Sequence, residues 1–391
     1  MLYALEHRYY GCHNASSCPY DKKDSQLSIQ DEMQYLTTDQ ALADLASFAR
    51  AKQASANNRS PWVLIGGSYP GMLAAFARTR YPDVFDCAVA SSAPVHAQFD
   101  FIGFQDVVTR GYQMNVEGVE GSSECAKQIA AGHQSIHSAL GSPEGRIQLA
   151  DLFGSSVPDA AWLEDPTNQR TFAGCGVASF PAQANQPACT SPACGVTQIC
   201  EIMTDQSSGS AMERLAKVAA AQAAADMTTS CEMDWEMPGD IGSAADNYWG
   251  YQCCTEYGFY QTCELGSECF YAQGLVSFAN ADHQPDNYCA SQFGLEREQT
   301  KGAVLASETK WTSLVANATK ILWVNGDLDP WHNLSNLVSP GAEQPVIWPV
   351  KGARHCAWMS AAAPNDQQSI KDARAAIYTT VSEWLGLTHS K

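Results

Sequence analysis

The sequence predicts an α/β fold in which a parallel sheet is interrupted by a long, mostly helical insertion, and three observations carry that expectation. A short apolar run, Pro61-Trp62-Val63-Leu64-Ile65, leads through a glycine turn into a helical pattern, the order of a buried strand feeding a helix. The same strand grammar returns near the C-terminus, at Ile321-Leu322-Trp323-Val324 and again at Pro345–Val350. Between these ends, helical patterns alternate with loops rich in Cys, Pro and Gly, and strand signals are scarce. Residues 1–94 and 306–391 are therefore expected to form one discontinuous α/β unit. Residues 95–305 are expected to form a helical, disulfide-tied cap.

Taken in order, Leu2 to Tyr10 reads as a buried strand running out to a loop, followed by a polar, turn-rich stretch. From Thr38, Leu42, Leu45 and Ala49 share a helical face, with Asp39 in the first turn where it suits the helix dipole. The strand at 61–65 follows, then Gly66-Gly67-Ser68-Tyr69-Pro70-Gly71 and a helix carrying Met72, Leu73, Phe76 and Ala77. Phe85–Ser91 reads as a further buried strand, and Met212–Ala225 as a helix of the insertion. The chain closes with an amphipathic helix whose Ile370, Ala373, Ile377, Val381 and Trp384 lie on one face.

Composition narrows the function classes. The 391 residues carry a net charge of -19, which a nucleic-acid backbone would repel. No run approaches the roughly 20 apolar residues that span a bilayer. Fifteen cysteines, clustered without the paired spacing of a structural zinc site, favour disulfides over metal, and no cofactor is implied. An odd count leaves at least one thiol outside any internal pair. Asn-x-Ser/Thr sequons at Asn14, Asn58, Asn317 and Asn333 add to the case for the secretory pathway. Met1–Tyr10 holds acid, His and Arg where a signal peptide would be apolar, so the sequence reads as one that opens in mid-fold, as a fragment or truncated gene model without its leader would.

The chemistry points to three residues. A serine hydroxyl needs a base to remove its proton, and the base needs a third group to orient it. On an α/β-hydrolase sheet the nucleophile stands at a strand-to-helix elbow, and acid and base follow from later strand ends. Ser68, Asp329 and His355 occupy those contexts in that order. Asp327 lies two residues before Asp329, and spacing alone does not separate them; Pro330 and Trp331, which resemble a fixed shielding turn, favour Asp329. His332 would share the acid's own loop, whereas His355 comes from a separate strand. The other histidines, at 7, 13, 96, 133, 137, 283 and 389, have no supporting context. Pro70 stands where the usual elbow carries glycine; we read it as opening the helix, with Tyr69 before it offering its backbone N–H to an oxyanion and Gly71 supplying the small residue.

Five segments together resemble the serine peptidases that include lysosomal Pro-X carboxypeptidase, dipeptidyl peptidase II and thymus-specific serine protease. They are Leu5-Glu6-His7-Arg8-Tyr9-Tyr10-Gly11, Gly66-Gly67-Ser68-Tyr69, Trp249-Gly250-Tyr251-Gln252 with Cys254-Thr255-Glu256, Asn325-Gly326-Asp327-Leu328-Asp329-Pro330-Trp331, and Gly352-Ala353-Arg354-His355. The resemblance implies an α/β-hydrolase domain with a helical cap, its first N-terminal strands missing from this sequence, and cleavage beside proline near a peptide terminus. It also implies a Ser68–Asp329–His355 triad, in a secreted or lysosomal (vacuolar) protein. It places Trp249, Tyr251 and Glu256 in a cap segment facing the site, where an aromatic wall, with Trp331, would suit a proline ring and a carboxylate could pair with a free amino terminus. Packing within the cap is an equal reading for Trp249 and Tyr251. Peptides are the expected partners, and a homodimer is compatible with the family. Carboxypeptidase and dipeptidyl peptidase stay open, as do an esterase or lipase on the same scaffold and an inactive secreted binding protein or fragment.

Overall fold

The computed structural model describes residues 1–10, 31, 33–56, 60–225, 227, 244–279, 287–341 and 343–387. Sequons Asn14 and Asn58 and histidines 13, 283 and 389 lie outside the described residues. Helix α1 (Thr38–Ala56) begins where Asp39 predicts it. Strand β1 (Val63–Gly67) runs through Ser68 into α2 (Tyr69–Arg80), and β2 (Cys87–Ser91) follows. The insertion opens with β3 (Gln98–Asp100), α3 (Ile102–Gly111) and a tiny hairpin of β4 (Asn115–Val116) and β5 (Val119–Glu120). Helices α4 (Ser123–Leu140), α5 (Pro143–Leu152), α6 (Pro166–Ala173), α7 (Val196–Thr204), α8 (Ala211–Ala224) and α9 (Ala244–Gln252) come next. Then come β6 (Gly258–Tyr260), α10 (Asn287–Phe293) and α11 (Arg297–Val315). The chain returns to the sheet in β7 (Ile321–Gly326) and β8 (Val346–Val350), and ends in α12 (Gln368–Trp384).

The main sheet is parallel with order β1-β2-β7-β8. Val89 pairs with Ile65 on one side and Leu322 on the other, so residues far apart in sequence are brought to a common rim. β2 and β7 are buried at every position, which explains their unbroken apolar reading. One face is covered by α12: Ile370 and Ala373 are buried against Val89, Leu322 and Val324, and Ile377, Val381 and Trp384 pack beside them. On the other side, Phe76 of α2 stacks on Trp311 of α11 with ring centroids 4.3 Å apart.

The insertion is helical, and its helices begin with the signals physical chemistry asks for. Ser210 and Glu213 form a reciprocal capping box at α8. Ser142 caps α5 with Pro143 in its first turn. Four disulfides are described: Cys125–Cys200, Cys189–Cys194, Cys254–Cys289 and Cys263–Cys269. Cys87, Cys253 and Cys356 are free thiols. Among the described residues no helix is long and apolar enough to cross a membrane.

Two expectations are corrected. Leu2–Tyr10 is not a strand: it forms no ladder, Met1 and Leu2 are exposed, and the segment ends in a turn. Tyr3 and Arg8 are held by side-chain contacts instead. Tyr3 stacks flat on Trp62 at 5.5 Å and meets Phe48 edge-on, and Arg8 pairs with Asp44 of α1. Helix α2 begins at Tyr69 and not at Pro70. Ser68 takes up the whole change of direction, so Tyr69 is already helical when the proline arrives.

The Cys125–Cys200 bridge closes a separation of 75 residues and ties α4 to α7. Replacing both cysteines by serine should lower the unfolding free energy by about 2–4 kcal/mol, through the added freedom of the unfolded chain. Urea denaturation of the two proteins checks this; an unchanged midpoint would show that the bridge carries no stability.

Candidate active site

Ser68 stands between β1 and α2 with φ 62 and ψ -132, a conformation that side-chain-bearing residues adopt only under constraint. The constraint is visible in its neighbours. A Cβ on Gly66 would sit 2.1 Å from the backbone oxygen of Pro70, and one on Gly71 would lie 2.9 Å from Ser91 O. The backbone N–H of Ser68 donates to Ser91 O at 2.9 Å, and Ser68 O accepts from Gly71 N at 2.8 Å and Met72 N at 3.1 Å. As the first helical residue, Tyr69 has no intrahelical acceptor for its N–H, which leaves that donor at the mouth of the elbow.

Asp329 follows β7 and is fully buried. Its Oδ1 accepts from Trp331 N at 3.0 Å and meets His355 Nδ1 at 2.9 Å. Its Oδ2 has no hydrogen-bond partner among the described residues. Asp327, the rival by spacing, instead accepts from the backbone N–H of Gly352 at 2.6 Å and braces the loop after β8. Burial disfavours the imidazolium of His355, yet the Asp329 carboxylate and the neighbouring Cys356 sulfur outweigh it and raise the histidine's pKa. His332 is packed against Trp348 with centroids 4.6 Å apart, and burial lowers its pKa.

The histidine loop abuts the serine elbow. A Cβ on Gly67 would lie 2.8 Å from Cys356 Sγ and 2.6 Å from Met359 Sδ. Cys356 N donates to Ser92 Oγ at 2.9 Å, and Trp358 Nε1 to Ser91 Oγ at 2.9 Å. No direct hydrogen bond joins Ser68 Oγ to His355 in this conformation; the immediate chain neighbours of both residues are in contact.

An aromatic arc spans the other side. Tyr69 packs on Trp249 at 5.4 Å, Trp249 on Phe259 at 6.3 Å, Phe259 on Trp331 at 5.3 Å, and Trp331 on His355 at 6.5 Å. Of the cap residues singled out by sequence, Trp249 belongs to this arc. Tyr251 does not: it is buried against Phe293 in a separate cluster with Tyr9, Met33 and Tyr248. The carboxylate of Glu256 is also turned elsewhere. It accepts from Thr38 N at 3.1 Å and Thr38 Oγ1 at 3.0 Å, capping the start of α1. Glu256 sits in a π-helical turn, Cys253–Tyr257, that continues α9.

One contributor carried no signal in the sequence, and three others stood only within the segments that carry the family resemblance, with no role assigned to them. Gln183, in a turn-rich stretch, accepts from His355 N at 3.3 Å through its backbone oxygen and from Trp331 Nε1 at 2.7 Å through its side chain. His7 meets Tyr69 OH at 3.0 Å, Gln252 donates to the same oxygen at 2.9 Å, and Tyr10 OH donates to Gln252 at 2.6 Å. Among the described residues no group of three His, Cys, Asp or Glu side chains is arranged to hold a metal ion.

A parallel sheet with a strained serine elbow, its later strands carrying a joined aspartate and histidine, is the frame of the α/β serine hydrolases. Within that class, the chain belongs to the serine carboxypeptidase S28 family, whose model matches residues 1–377. It is 28% identical to the thymus-specific serine protease of Homo sapiens over 412 aligned positions, covering 99% of this chain and 74% of the relative. The Mus musculus protein of that name is 29% identical, with 98% and 74% covered. The lysosomal Pro-X carboxypeptidase of Mus musculus is 24% identical, with 85% and 65% covered.

Burial raises the carboxyl pKa of Glu256 from 4.5 to about 7 against the opposing hydrogen bonds from Thr38. The fold thus favours the neutral form. Its contribution to stability is complete below pH 4.5 and is lost as the pH rises through about 7. Glu256→Gln should flatten the fall in stability across that window, measured by denaturant unfolding at several pH values. Equal slopes in both proteins would assign the pH dependence elsewhere.

Proposed function

We propose that the protein is a serine exopeptidase that cleaves beside proline near a peptide terminus through an acyl-enzyme intermediate. The observation that carries this reading is the 2.9 Å contact between Asp329 and His355, at the rim where Ser68 is held in its strained turn. Membership of a serine peptidase family supports the reaction class. One relative is named a Pro-X carboxypeptidase, which supports the proline preference. The disulfides and that relative's lysosomal name support a secreted or lysosomal setting.

In this mechanism the Ser68 hydroxyl attacks the scissile carbonyl while His355 Nε2 takes its proton, once the Ser68 side chain has turned to meet the ring. Asp329 fixes the other ring nitrogen and stabilises the imidazolium that forms. Tyr69 N–H donates to the oxyanion of the tetrahedral intermediate. His355 returns the proton to the leaving amine, and water then releases the acyl group by the same steps in reverse roles. Residues 95–305 act as the cap over this rim. Trp249 and Trp331, half-buried on either side of the fully buried Phe259, offer rigid apolar faces against which a pyrrolidine ring packs with little entropic loss.

Ser68→Ala should abolish hydrolysis of prolyl peptides, and Asp329→Asn should lower kcat by on the order of 10⁴ while leaving the fold intact. Steady-state rates, with circular dichroism as the folding control, test both. Full turnover in the serine variant would end the reading. Trp331→Ala should cut kcat/KM for proline-containing substrates more than for an alanine analogue; equal losses would remove Trp331 from substrate recognition.

A further inference from the structure

A cleft of about 90 Å³ opens between α3 and the loop 175–184, and nothing in the mechanism above uses it. It adjoins the candidate site through two residues. Phe104 lines it and meets Trp331 edge-on at 5.4 Å. Gln183 lines it and accepts from the backbone N–H of His355. Three glutamines, Gln105, Gln183 and Gln261, stand in a wall that is otherwise mainly apolar and aromatic. Gln105 and Gln261 are each only 5% exposed. The side-chain oxygen of Gln105 has no hydrogen-bond partner among the described residues. A buried amide oxygen left unpaired costs free energy that an incoming N–H would restore.

Position and chemistry together say which part of a substrate fits. In the proposed mechanism the acyl portion lies on the Tyr69 side of the elbow, where the oxyanion donor stands. The leaving amine receives its proton from His355, so the departing chain must pass on the histidine's side, where Gln183 and the cleft lie. The volume corresponds to roughly three waters at ~30 Å³ each, room for a peptide group or a small side chain. No Lys, Arg or other charged residue is among those that line it. A terminal carboxylate would enter without a counter-charge, whereas an uncharged peptide amide would find acceptors and donors.

We propose that this cleft is the leaving-group subsite, and that Gln105 and Gln261 select a departing chain that continues as an amide over one that ends there in a free carboxylate. The inference rests on the serine peptidase reading and sharpens it toward release of short N-terminal pieces from longer peptides.

The test uses matched peptides with one residue after the scissile proline bond, as the free acid or as the amide, and reads the ratio of their kcat/KM values. The wild-type protein should favour the amide, and Gln105→Leu and Gln261→Leu should each reduce that ratio by on the order of 3- to 10-fold. Gln261→Asn should recover part of it. A preference for the free acid, or a ratio unmoved in both leucine variants, overturns the proposal. A general folding defect slows both substrates together and leaves the ratio alone, so it counts as the unmoved case only where circular dichroism shows native folding; the asparagine variant then supplies the deciding ratio. Calorimetric binding of the same two peptides to Ser68→Ala reads the subsite without turnover. Amide-selective binding lost in the Gln261→Leu background supports the cleft even where Ser68→Ala still hydrolyses peptides, an outcome that would refute the serine mechanism alone.

Discussion

The crowding at the strand-to-helix elbow sets the terms for everything around it. Gly66, Gly67 and Gly71 are small because three pieces of chain converge there: the backbone at the start of α2, the backbone at the end of β2, and the side chains of Cys356 and Met359 from the loop carrying His355. The clearances that a Cβ would violate, 2.1 Å at Gly66 and 2.6 Å at Gly67, are contacts with the other pieces. Tight approach is therefore what brings the histidine loop to the serine. It is also what forces Ser68 into a left-handed φ, since the chain must leave a parallel strand and enter a helix within one residue. Pro70 is accommodated by the same economy: it occupies the first helical turn, where no intrahelical N–H is required, and its carbonyl closes over Gly66.

The second constraint is a charge. Asp329 is fully buried, and burying a carboxylate is costly unless hydrogen bonds and an opposite charge compensate it. The turn Pro330-Trp331 supplies a backbone donor and His355 a ring nitrogen, both to Oδ1, while Oδ2 has no hydrogen-bond partner among the described residues. The pairing works in both directions. The carboxylate favours a protonated ring next to it, and the ring's orientation is fixed by the carboxylate. Asp327, two residues earlier, is spent on the Gly352 backbone, which positions the very loop that brings His355 into reach. The two aspartates that spacing could not separate thus do complementary work on the same loop, one from each side.

How much of this was legible in the sequence follows from the range of the interactions. Strands β2 and β7 were readable because a buried parallel strand is apolar along its whole length, a local property; β1 and β8 carry the same apolar pattern at the edges of the sheet, where they are only partly buried and Ile65, expected inside, is 61% exposed. The elbow was readable because strand, glycines and helix are contiguous. The N-terminal segment misled for the same reason: Leu2, Tyr3 and Leu5 look like strand residues, but Leu2 and Leu5 are exposed, and the aromatic partners of Tyr3, Phe48 and Trp62, lie some fifty residues away and hold it without a ladder. Glu256 looked like a recognition group because a carboxylate in the cap could face a substrate. Its true partner, the first backbone N–H of α1, is 218 residues distant and leaves no trace in the local pattern. Gln183 was invisible altogether, since a glutamine in an irregular loop has no periodicity to betray it.

The insertion is fastened to the elbow by chemistry rather than by mere contact. Tyr69, the residue after the candidate nucleophile, presents its backbone to the rim and its side chain to the insertion. Its phenol oxygen is held by His7 and by Gln252 of α9, and its ring lies against Trp249. Beyond it, Glu256 ties the π-helical turn after α9 back to α1. A displacement of the 249–257 segment would therefore be felt at Tyr69, and through one residue at Ser68, without any direct contact between that segment and the hydroxyl. On the opposite flank Gln183 ties the insertion to His355 and Trp331. The two catalytic candidates that must exchange a proton are thus each braced by a different part of the same insertion. Under the proposed mechanism their separation would follow from how that insertion sits, so the insertion would set the geometry of proton transfer as well as flank the rim.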